Sequence, residues 1–349
     1  MTLKSFKLVE DFVQDRNASA VVAMVGHKGI LYGPAAFGTT GFFPGAEPVT
    51  KDTIFDIASL TKVVGTTTLA LALLEEGVLN LDTELGELLD AVPHDKTRIT
   101  IQQLLSHTSG LADWIPLYLD AKDSQDACEK ILASPLAYTP GTQVVYSCLG
   151  FILLGQIIEN QRGRSLTDLV NELSTALEMK DTYYNPPVEV YARIAYTEWC
   201  PRAKRFLRGT VHDENAQALQ GISGNAGLFS TAGDLANFST MILNGGRFGD
   251  RVILRESTLG LLEKSFTEGL NDRRTLGWML YSKPKSSGGD LLSDLAIGHT
   301  GFTGTSLWID KEQELFVILL TNRVHPVRTN EAIFQLRPAF HNSVVSELT

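Results

Sequence analysis

Residues 55–64 read Phe55-Asp56-Ile57-Ala58-Ser59-Leu60-Thr61-Lys62-Val63-Val64 and place a serine three positions before a lysine. The sequence predicts a helix that begins here, continues to about Glu76 and ends at Gly77. Because residues i and i+3 share one helical face, we expect the Ser59 hydroxyl and the Lys62 amine to be neighbours. A lysine that burial keeps neutral can accept the proton of a serine nucleophile. The stretch therefore indicates a catalytic serine with its own base.

The same spacing occurs a second time, at Ser282-Lys283-Pro284-Lys285. That match lies in a loop rich in Pro, Gly and Ser, and Pro284 disfavours the helix that would align its serine and lysine. We therefore assign the pattern to Ser59 and Lys62. The chance match also shows that the spacing alone is weak evidence.

The Ser59 helix lies between two strand-rich ends of the chain. Its middle, residues 63–74, is apolar nearly all round, which is typical of a buried central helix. Alternating patterns predict a hairpin before it, at 20–25 and 30–32, and strands near the C-terminus at 275–281, 305–309 and 315–320. Helical spacing is found at 101–105, 124–133, 149–159, 166–177, 232–243, 256–264 and 330–345.

This order of strands, helices and strands predicts an α+β fold with an inserted helical region. One domain would contain residues 1–78 and 200–349, with the Ser59 helix at the domain junction. The other, mainly helical domain would contain residues 79–199. At the N-terminus we expect an amphipathic helix, whose inward-facing residues would be Leu3, Phe6, Val9 (or Leu8), Phe12 and Val13.

Composition limits the classes of function. The 349 residues carry a formal net charge of −10 at pH 7, which argues against nucleic-acid binding, because that function needs a basic face. No apolar run is long enough to span a bilayer, and the N-terminus has no apolar signal core. We therefore expect a soluble, cytoplasmic protein without a membrane segment. A leader removed from the N-terminus would instead indicate a periplasmic or extracellular protein.

Neither a metal nor a cofactor is predicted. Cys128, Cys148 and Cys200 cannot all pair within one chain, and their spacing fits no metal site, so buried free thiols are expected. Three consecutive side chains such as His212-Asp213-Glu214 rarely converge on one ion. The glycines of residues 224–227 do not match a dinucleotide-binding fingerprint.

Five further segments follow the Ser59 stretch in a recognisable order. They are Leu104-Leu105-Ser106-His107-Thr108-Ser109-Gly110-Leu111, Val145-Tyr146-Ser147-Cys148-Leu149-Gly150, Val211-His212-Asp213-Glu214-Asn215-Ala216, Gly224-Asn225-Ala226-Gly227-Leu228-Phe229-Ser230-Thr231 and Gly298-His299-Thr300-Gly301-Phe302-Thr303-Gly304. Together they resemble the serine β-lactamase and penicillin-binding-protein family. The most similar branch is the class C-like one, which also holds DD-peptidases, D-aminopeptidases and esterases. The resemblance runs from about Ala20 to Leu320 and implies an antiparallel sheet flanked by helices, with an inserted mainly helical region.

The resemblance implies a role for each matching residue. Ser59 would be the acylated nucleophile, and Lys62 would share and move its proton. Tyr146 would act as the base or return the proton to the leaving group, so we treat Lys62 and Tyr146 as a coupled pair. His299-Thr300-Gly301 would match the family's K-T-G strand along the pocket. The backbone N–H groups of Ser59 and Phe302 would form the oxyanion hole.

One departure from the family pattern follows the tyrosine. The family motif reads Y-x-N, and Cys148 occupies the position of the asparagine, where a thiol cannot replace the hydrogen bonds of an amide. A literal Y-x-N occurs at Tyr183-Tyr184-Asn185, but prolines follow it and the expected apolar helix does not. We therefore favour Tyr146 over Tyr183.

The second departure is His299, which replaces the lysine of K-T-G. A histidine with an ordinary pKa near 6.5 is mostly neutral at pH 7, whereas a lysine is charged. The attraction for a substrate carboxylate should be weaker as a result. Together the departures at Cys148 and His299 favour ester or amide substrates without that carboxylate over efficient β-lactam hydrolysis.

The residues and the resemblance together predict a serine hydrolase that forms an acyl-enzyme on Ser59. Its substrate would be a small molecule or a short peptide with an ester, an amide or D-amino-peptide, or a β-lactam bond. The alternative is a non-catalytic binding or regulatory protein that keeps the penicillin-recognising fold. Oligomeric state is left open. His107 is interpreted as a structural histidine of the turn before Gly110, and Trp114, Tyr118 and Trp199 either wall an acyl pocket or serve packing.

Overall fold

The computed structural model describes residues 1–284 and 286–349. Within them the strands are β1 Ala20–His27, β2 Ile30–Gly38, β3 Phe55–Asp56, β4 Tyr183–Tyr184, β5 Trp199–Cys200, β6 Arg205–Phe206, β7 Leu228–Ser230, β8 Arg247–Phe248, β9 Arg251–Val252, β10 Met279–Leu280, β11 Ile297–Thr300, β12 Ser306–Asp310 and β13 Leu315–Thr321. The helices are α1 Phe6–Gln14, α2 Thr68–Glu75, α3 Leu85–Leu88, α4 Ile101–Leu105, α5 Ser124–Ala133, α6 Cys148–Arg162, α7 Leu166–Ala176, α8 Glu214–Ala218, α9 Ala232–Leu243, α10 Glu256–Leu259 and α11 Ile333–Leu348.

Polar residues before several of these helices fix where each begins. Their side-chain oxygens accept a hydrogen bond from the backbone N–H three residues later, which satisfies a donor that the first helical turn leaves free. The residues are Thr100, Asp123, Ser147, Ser165, Asp213 and Thr231. Helix α6 ends at Gly163, whose φ of 60° is the left-handed conformation that glycine adopts readily.

The main sheet is built from both ends of the chain. Its described strands lie in the order β10-β11-β12-β13-β1-β2, and every neighbouring pair is antiparallel. The predicted hairpin is present as β1 and β2. The register from Val21 opposite Thr321 to His27 opposite Leu315 joins the N-terminal hairpin to the C-terminal strands. The α+β fold with a flanked antiparallel sheet is therefore confirmed, whereas the domain boundaries at residues 78 and 200 stay a prediction.

Apolar side chains cover both faces of this sheet. Val21, Ala23 and Val25 of β1 pack in one cluster with residues of α1 and α11. Val22 and Met24, which point the other way, join the larger core around the Ser59 helix. A sheet that is buried on both faces needs apolar residues at consecutive positions, so β1 and β13 read as continuous apolar runs. No helix of the described residues is long and apolar enough to cross a membrane.

The Ser59 segment is less regular than predicted. It begins with a 3₁₀ turn over Ala58–Leu60, continues as a π-helix over Lys62–Thr67 and becomes α-helical only in α2. Side chains three apart eclipse one another in a 3₁₀ turn, so Ser59 and Lys62 still share a face. π-Helical turns are frequent at functional sites.

The strand predicted over residues 275–281 is largely wrong. Only Met279–Leu280 forms a strand, as β10 at the edge of the sheet. Gly277 adopts a φ of 77° and donates its N–H to the Leu105 carbonyl at 2.9 Å, so the chain turns at this point. The apolar residues around Gly277 are buried by this turn and not by strand pairing.

Gly298 lies opposite Trp308 in the ladder between β11 and β12 and provides a test of core packing. A Cβ atom at this position would overlap the buried Trp308 ring. We expect Gly298→Ala to lower the free energy of unfolding by about 1–3 kcal/mol, because overpacking displaces side chains and backbone. The measurement is chemical denaturation. Gly260→Ala is the control, because a Cβ at Gly260 meets nothing within 4 Å and should leave stability unchanged or slightly higher. Equal stability of the two variants would contradict this account.

Candidate active site

A cleft of about 610 Å³ brings the predicted site residues together. It lies where the Ser59 segment, the start of α6 and the end of β11 meet. The predicted residues that line it are Ser59, Tyr146, Cys148, His299, Thr300, Gly301 and Phe302. Lys62 is fully buried beneath the cleft and reaches Ser59 from below.

Three hydrogen bonds hold the Lys62 ammonium. Its Nζ donates to Ser59 Oγ at 3.1 Å, to the Asn225 carbonyl at 2.8 Å and to Cys148 Sγ at 3.5 Å. The nitrogen also lies 5.0 Å from the centroid of the Tyr146 ring, a distance at which a cation and an aromatic face attract each other. The arrangement therefore aims one N–H of Lys62 at the Ser59 oxygen.

Burial and neighbouring groups shift the pKa of Lys62 in opposite directions. Burial lowers the pKa of Lys62, but the neighbouring Cys148 and Tyr146, whose ionised forms attract the ammonium, raise it by more. The pKa of Lys62 consequently lies above its ordinary value. A neutral Lys62 in the free site stays a prediction, because the raised pKa requires a negative charge on Cys148 or Tyr146 and burial alone lowers it.

Tyr146 lies beside Lys62 with its hydroxyl buried. Within residues 1–284 and 286–349, Tyr146 Oη completes no hydrogen bond of good geometry. Burial raises the pKa of Tyr146, and the Lys62 ammonium lowers it by less, so the phenol stays protonated at neutral pH. Lys62 and Ser59 nevertheless lie close enough to Oη to lower the pKa of the phenol through hydrogen bonding, so the three polar groups form one cluster.

Backbone geometry immediately before Ser59 is strained. Ala58 has a φ of 47°, which is unusual for a residue with a Cβ atom. Its N–H donates to Asp56 Oδ1 at 2.8 Å, and Asp56 Oδ2 accepts the His212 N–H at 2.6 Å. The fully buried Asp56 carboxylate therefore holds the turn that presents Ser59, as strained residues at functional sites require.

The turn after β11 packs directly against this strained segment. A Cβ atom at Gly301 would overlap Thr305 Oγ1 and approach the Ile57 carbonyl to 2.6 Å, so only glycine allows the approach. The Thr303 hydroxyl donates to the Asp56 carbonyl at 2.8 Å. These contacts tie the Ser59 and Phe302 backbones together on one side of the cleft.

The positive charge near the His299-Thr300-Gly301 strand comes from arginines and not from His299. Burial lowers the pKa of His299 well below its ordinary value, and Lys62 and Arg274 lower it further, so the ring is neutral. Arg274 lines the same cleft, with its guanidinium 5.7 Å from the Tyr146 ring centroid. Its Nε donates to Asp272 at 2.7 Å, but its buried Nη1 has no partner within the described part of the chain.

The alternatives weighed from the sequence have other surroundings. The Tyr183 hydroxyl donates to the Lys180 carbonyl and to Asp181, and Tyr183 does not line the cleft. The second serine–lysine match includes Lys285, which lies outside the described residues. Trp114 and Tyr118 line the cleft, whereas Trp199 packs on Phe206.

The remaining groups singled out from the sequence also have clear positions. His212 Nε2 lies 3.0 Å from Glu198 Oε2, and its ring stacks on Phe302 at 5.5 Å. Cys128, Cys148 and Cys200 are free thiols; Cys128 is buried, but Cys148 and Cys200 are partly exposed. In residues 1–284 and 286–349 no group of three or more His, Cys, Asp or Glu side chains is placed to hold a metal ion.

Comparison with known proteins identifies the family. The model of the Beta-lactamase family matches residues 6–339. The chain belongs to the beta-lactamase family. Two relatives of this beta-lactamase-family chain carry hydrolase names. A protein of Escherichia coli K12 named "Putative D-alanyl-D-alanine carboxypeptidase" is 32% identical over 80% of this chain and 71% of its own length. An "N-acetylmuramyl-L-alanine amidase" of Bacillus subtilis is 30% identical over 87% of this chain and 77% of its own length.

The solved structures agree with the family at the level of the fold. A class C beta-lactamase from Rhodobacter sphaeroides superimposes with a TM-score of 0.76 over 99% of both chains, at 19% sequence identity. The family is one of serine hydrolases, and the coarse prediction of a serine hydrolase is confirmed in this sense.

Sequence reasoning missed several residues of the cleft. Arg274 carried no signal, because it lies just before the segment over residues 275–281 that was predicted as a strand. The sequence marks Asp56 only as a neighbour of Ser59, although its carboxylate holds the turn. Asn225 belongs to a segment that supported the resemblance, but nothing in the pattern showed that its carbonyl would accept from Lys62.

Asp56 should make the stability of the fold depend on pH. Burial raises the pKa of Asp56 to about 6, although the His212 and Ala58 N–H groups oppose this. The folded protein therefore binds this proton more tightly than the unfolded chain. Its stabilising contribution is fully present below about pH 4 and is lost as the pH rises through about 6, a change of about 3 kcal/mol.

The measurement compares the free energy of unfolding of wild type and Asp56→Asn by chemical denaturation between about pH 4 and pH 7. The difference should shift in favour of the variant as the pH rises. Asp52→Asn, which removes an exposed carboxylate, is the control for the loss of a charge. A difference between wild type and Asp56→Asn that is constant over this range would contradict the assignment.

Proposed function

We propose that this chain is a serine hydrolase that forms an acyl-enzyme on Ser59. The observation that carries the proposal is the Lys62 Nζ hydrogen bond to Ser59 Oγ at 3.1 Å in a cleft shared with Tyr146. In this proposal Ser59 attacks a carbonyl carbon, and the Ser59 and Phe302 N–H groups stabilise the oxyanion. Such donors are typically worth about 3–4 kcal/mol of barrier each. Water then hydrolyses the ester on Ser59.

Proton transfer in this proposal belongs to Lys62 and Tyr146 together. In its ammonium form Lys62 donates to Ser59, so it cannot accept the serine proton until the pair has lost one. The free base is therefore formed by deprotonation of the pair. Tyr146, which lines the cleft with its Oη close to both Lys62 and Ser59, is suited to deliver a proton to the leaving group.

The substrate that the cleft fits best carries a carboxylate. The argument against a carboxylate rested on the missing charge at His299, and the buried Arg274 supplies a cation instead, with an N–H that has no partner among the described residues. Because Arg274 lies beside the Tyr146 ring, the carboxylate would be on the leaving-group side. The name of the Escherichia coli relative fits a peptide that ends in a D-amino acid. We therefore propose amide hydrolysis in short peptides with a terminal carboxylate.

The first test is the loss of the nucleophile. Ser59→Ala should abolish turnover and covalent labelling by a fluorophosphonate, because the alanine has no oxygen to acylate. Circular dichroism and the thermal midpoint should match wild type. Labelling that survives this change would contradict the assignment of Ser59. A wild-type protein that neither turns over any substrate nor accepts the probe would instead support the non-catalytic alternative.

The second test concerns the substrate. Arg274→Gln should lower kcat/KM for a D-alanyl-D-alanine peptide roughly 10- to 100-fold, because a hydrogen bond to a charged group is typically worth about 1.5–3 kcal/mol. The kcat/KM for an uncharged short-chain aryl ester should change little. Arg255→Gln removes an arginine that is 75% exposed in its side chain and serves as the control. Equal losses for both substrates, or a wild type that prefers the ester, would contradict the proposed substrate.

A further inference from the structure

We infer that His107 is a positioning residue that sets the place of Tyr146 for proton transfer. This inference rests on the proposed function, because it assumes that Tyr146 moves a proton. The sequence gives no such role to His107, which it places in a turn between α4 and Gly110. In the structure the side chain is 1% exposed and lies against the tyrosine.

Hydrogen bonds to His107 hold the chain on both sides of Tyr146. Its Nδ1 accepts the N–H of Ser147 at 3.1 Å. Its backbone carbonyl accepts the N–H of Val145 at 3.0 Å and the Tyr138 hydroxyl at 3.1 Å. The residues immediately before and after Tyr146 are therefore both bonded to one histidine. Because Nδ1 is the acceptor, the proton of the neutral ring is on Nε2.

The ring of His107 also contacts the Tyr146 ring. The two centroids are 4.6 Å apart with an interplanar angle of 42°, and Phe151 lies on His107 at 5.1 Å. Burial lowers the pKa of His107 well below its ordinary value, and Arg274 and Lys62 lower it further, so the ring places no charge beside the phenol. The histidine thus provides a neutral, rigid wall for Tyr146.

The backbone of His107 makes this arrangement costly to replace. Its φ of 59° is left-handed, which asparagine tolerates better than most residues with a Cβ atom. Nδ1 bonds Ser147, the residue that caps helix α6 and donates its hydroxyl to the Ala112 carbonyl at 2.6 Å. A displaced Ser147 would move Tyr146 relative to Lys62. Misplacement by about 1 Å can cost on the order of 100-fold in rate.

The test separates positioning from folding with two substitutions. His107→Phe keeps a ring but loses the acceptor for the Ser147 N–H, whereas His107→Asn keeps an acceptor and suits the left-handed backbone. We expect the Phe variant to lower kcat for a chromogenic short-chain aryl ester, and the rate of fluorophosphonate labelling, by roughly 10- to 100-fold with little change in KM. The Asn variant should recover a large part of both rates.

The decisive measurement is a double-mutant cycle with Tyr146→Phe. If His107 acts through Tyr146, adding His107→Phe to Tyr146→Phe should cause little further loss of the labelling rate. Losses that multiply in the double variant would overturn the inference, and so would an Asn variant as slow as the Phe variant. Tyr138→Phe, which removes a bond to the same carbonyl but does not touch the Tyr146 ring, is the control for loop stability. Failure of Ser59→Ala to abolish labelling would overturn the proposed function instead, so the two failures are distinguishable.

Discussion

The buried ammonium of Lys62 is the constraint on which the site depends. A charge without contact with water is costly unless hydrogen bonds and neighbouring groups compensate it. In the described residues the direct partners of Nζ are a hydroxyl, a carbonyl and a thiol, and no carboxylate bonds it. Ser59, Asn225 and Cys148 come from three distant parts of the chain, so the charge is stable only when the whole fold is assembled.

The same assembly holds the strained turn that presents Ser59. Ala58 keeps its left-handed conformation because Asp56 bonds its N–H from one side and the turn after β11 packs on it from the other. Gly301 allows this approach because it has no Cβ atom. Contacts from both sides hold the strained backbone in place, and strained segments persist only where they are held in this way. Burial of the Asp56 carboxylate has an electrostatic cost, which is seen in the rise of its pKa to about 6.

Arginines, and not the motif histidine, determine the charge of the cleft. His299 is neutral because burial and two neighbouring cations oppose its protonation. Arg323 stacks on the Phe302 ring at 4.7 Å and donates to the Phe302 carbonyl at 2.9 Å. Burial lowers the pKa of Arg337 to about 9, which still leaves it charged at neutral pH. Four arginines and two acidic residues, Asp213 and Glu214, line the cleft, so its lining is net positive within a protein of net charge −10 and is suited to an anionic group of a small ligand.

Much of the fold could be read from the sequence because local patterns determine it. The hairpin of β1 and β2, helix α5 and helix α9 follow from apolar periodicity and from capping residues. The strand predicted over 275–281 failed because a left-handed glycine there makes a turn whose apolar residues are buried by distant elements. The sequence did not predict the π-helical turn after Ser59 either, because residues there are apolar nearly all round the helix and leave no periodicity that would show the change of helix type.

The sequence by itself determined the family and the set of residues Ser59, Lys62, Tyr146 and the His299-Thr300-Gly301 strand, because short motifs record residue types that chemistry requires in a fixed order. Only the tertiary structure decided which of these residues are charged and which side chains surround them. Whether Lys62 is charged depends on Cys148 and Tyr146, and whether the cleft attracts a carboxylate depends on Arg274. Those neighbours are set by packing between elements far apart in the chain, and a pKa depends on all the charges and the solvent around a group.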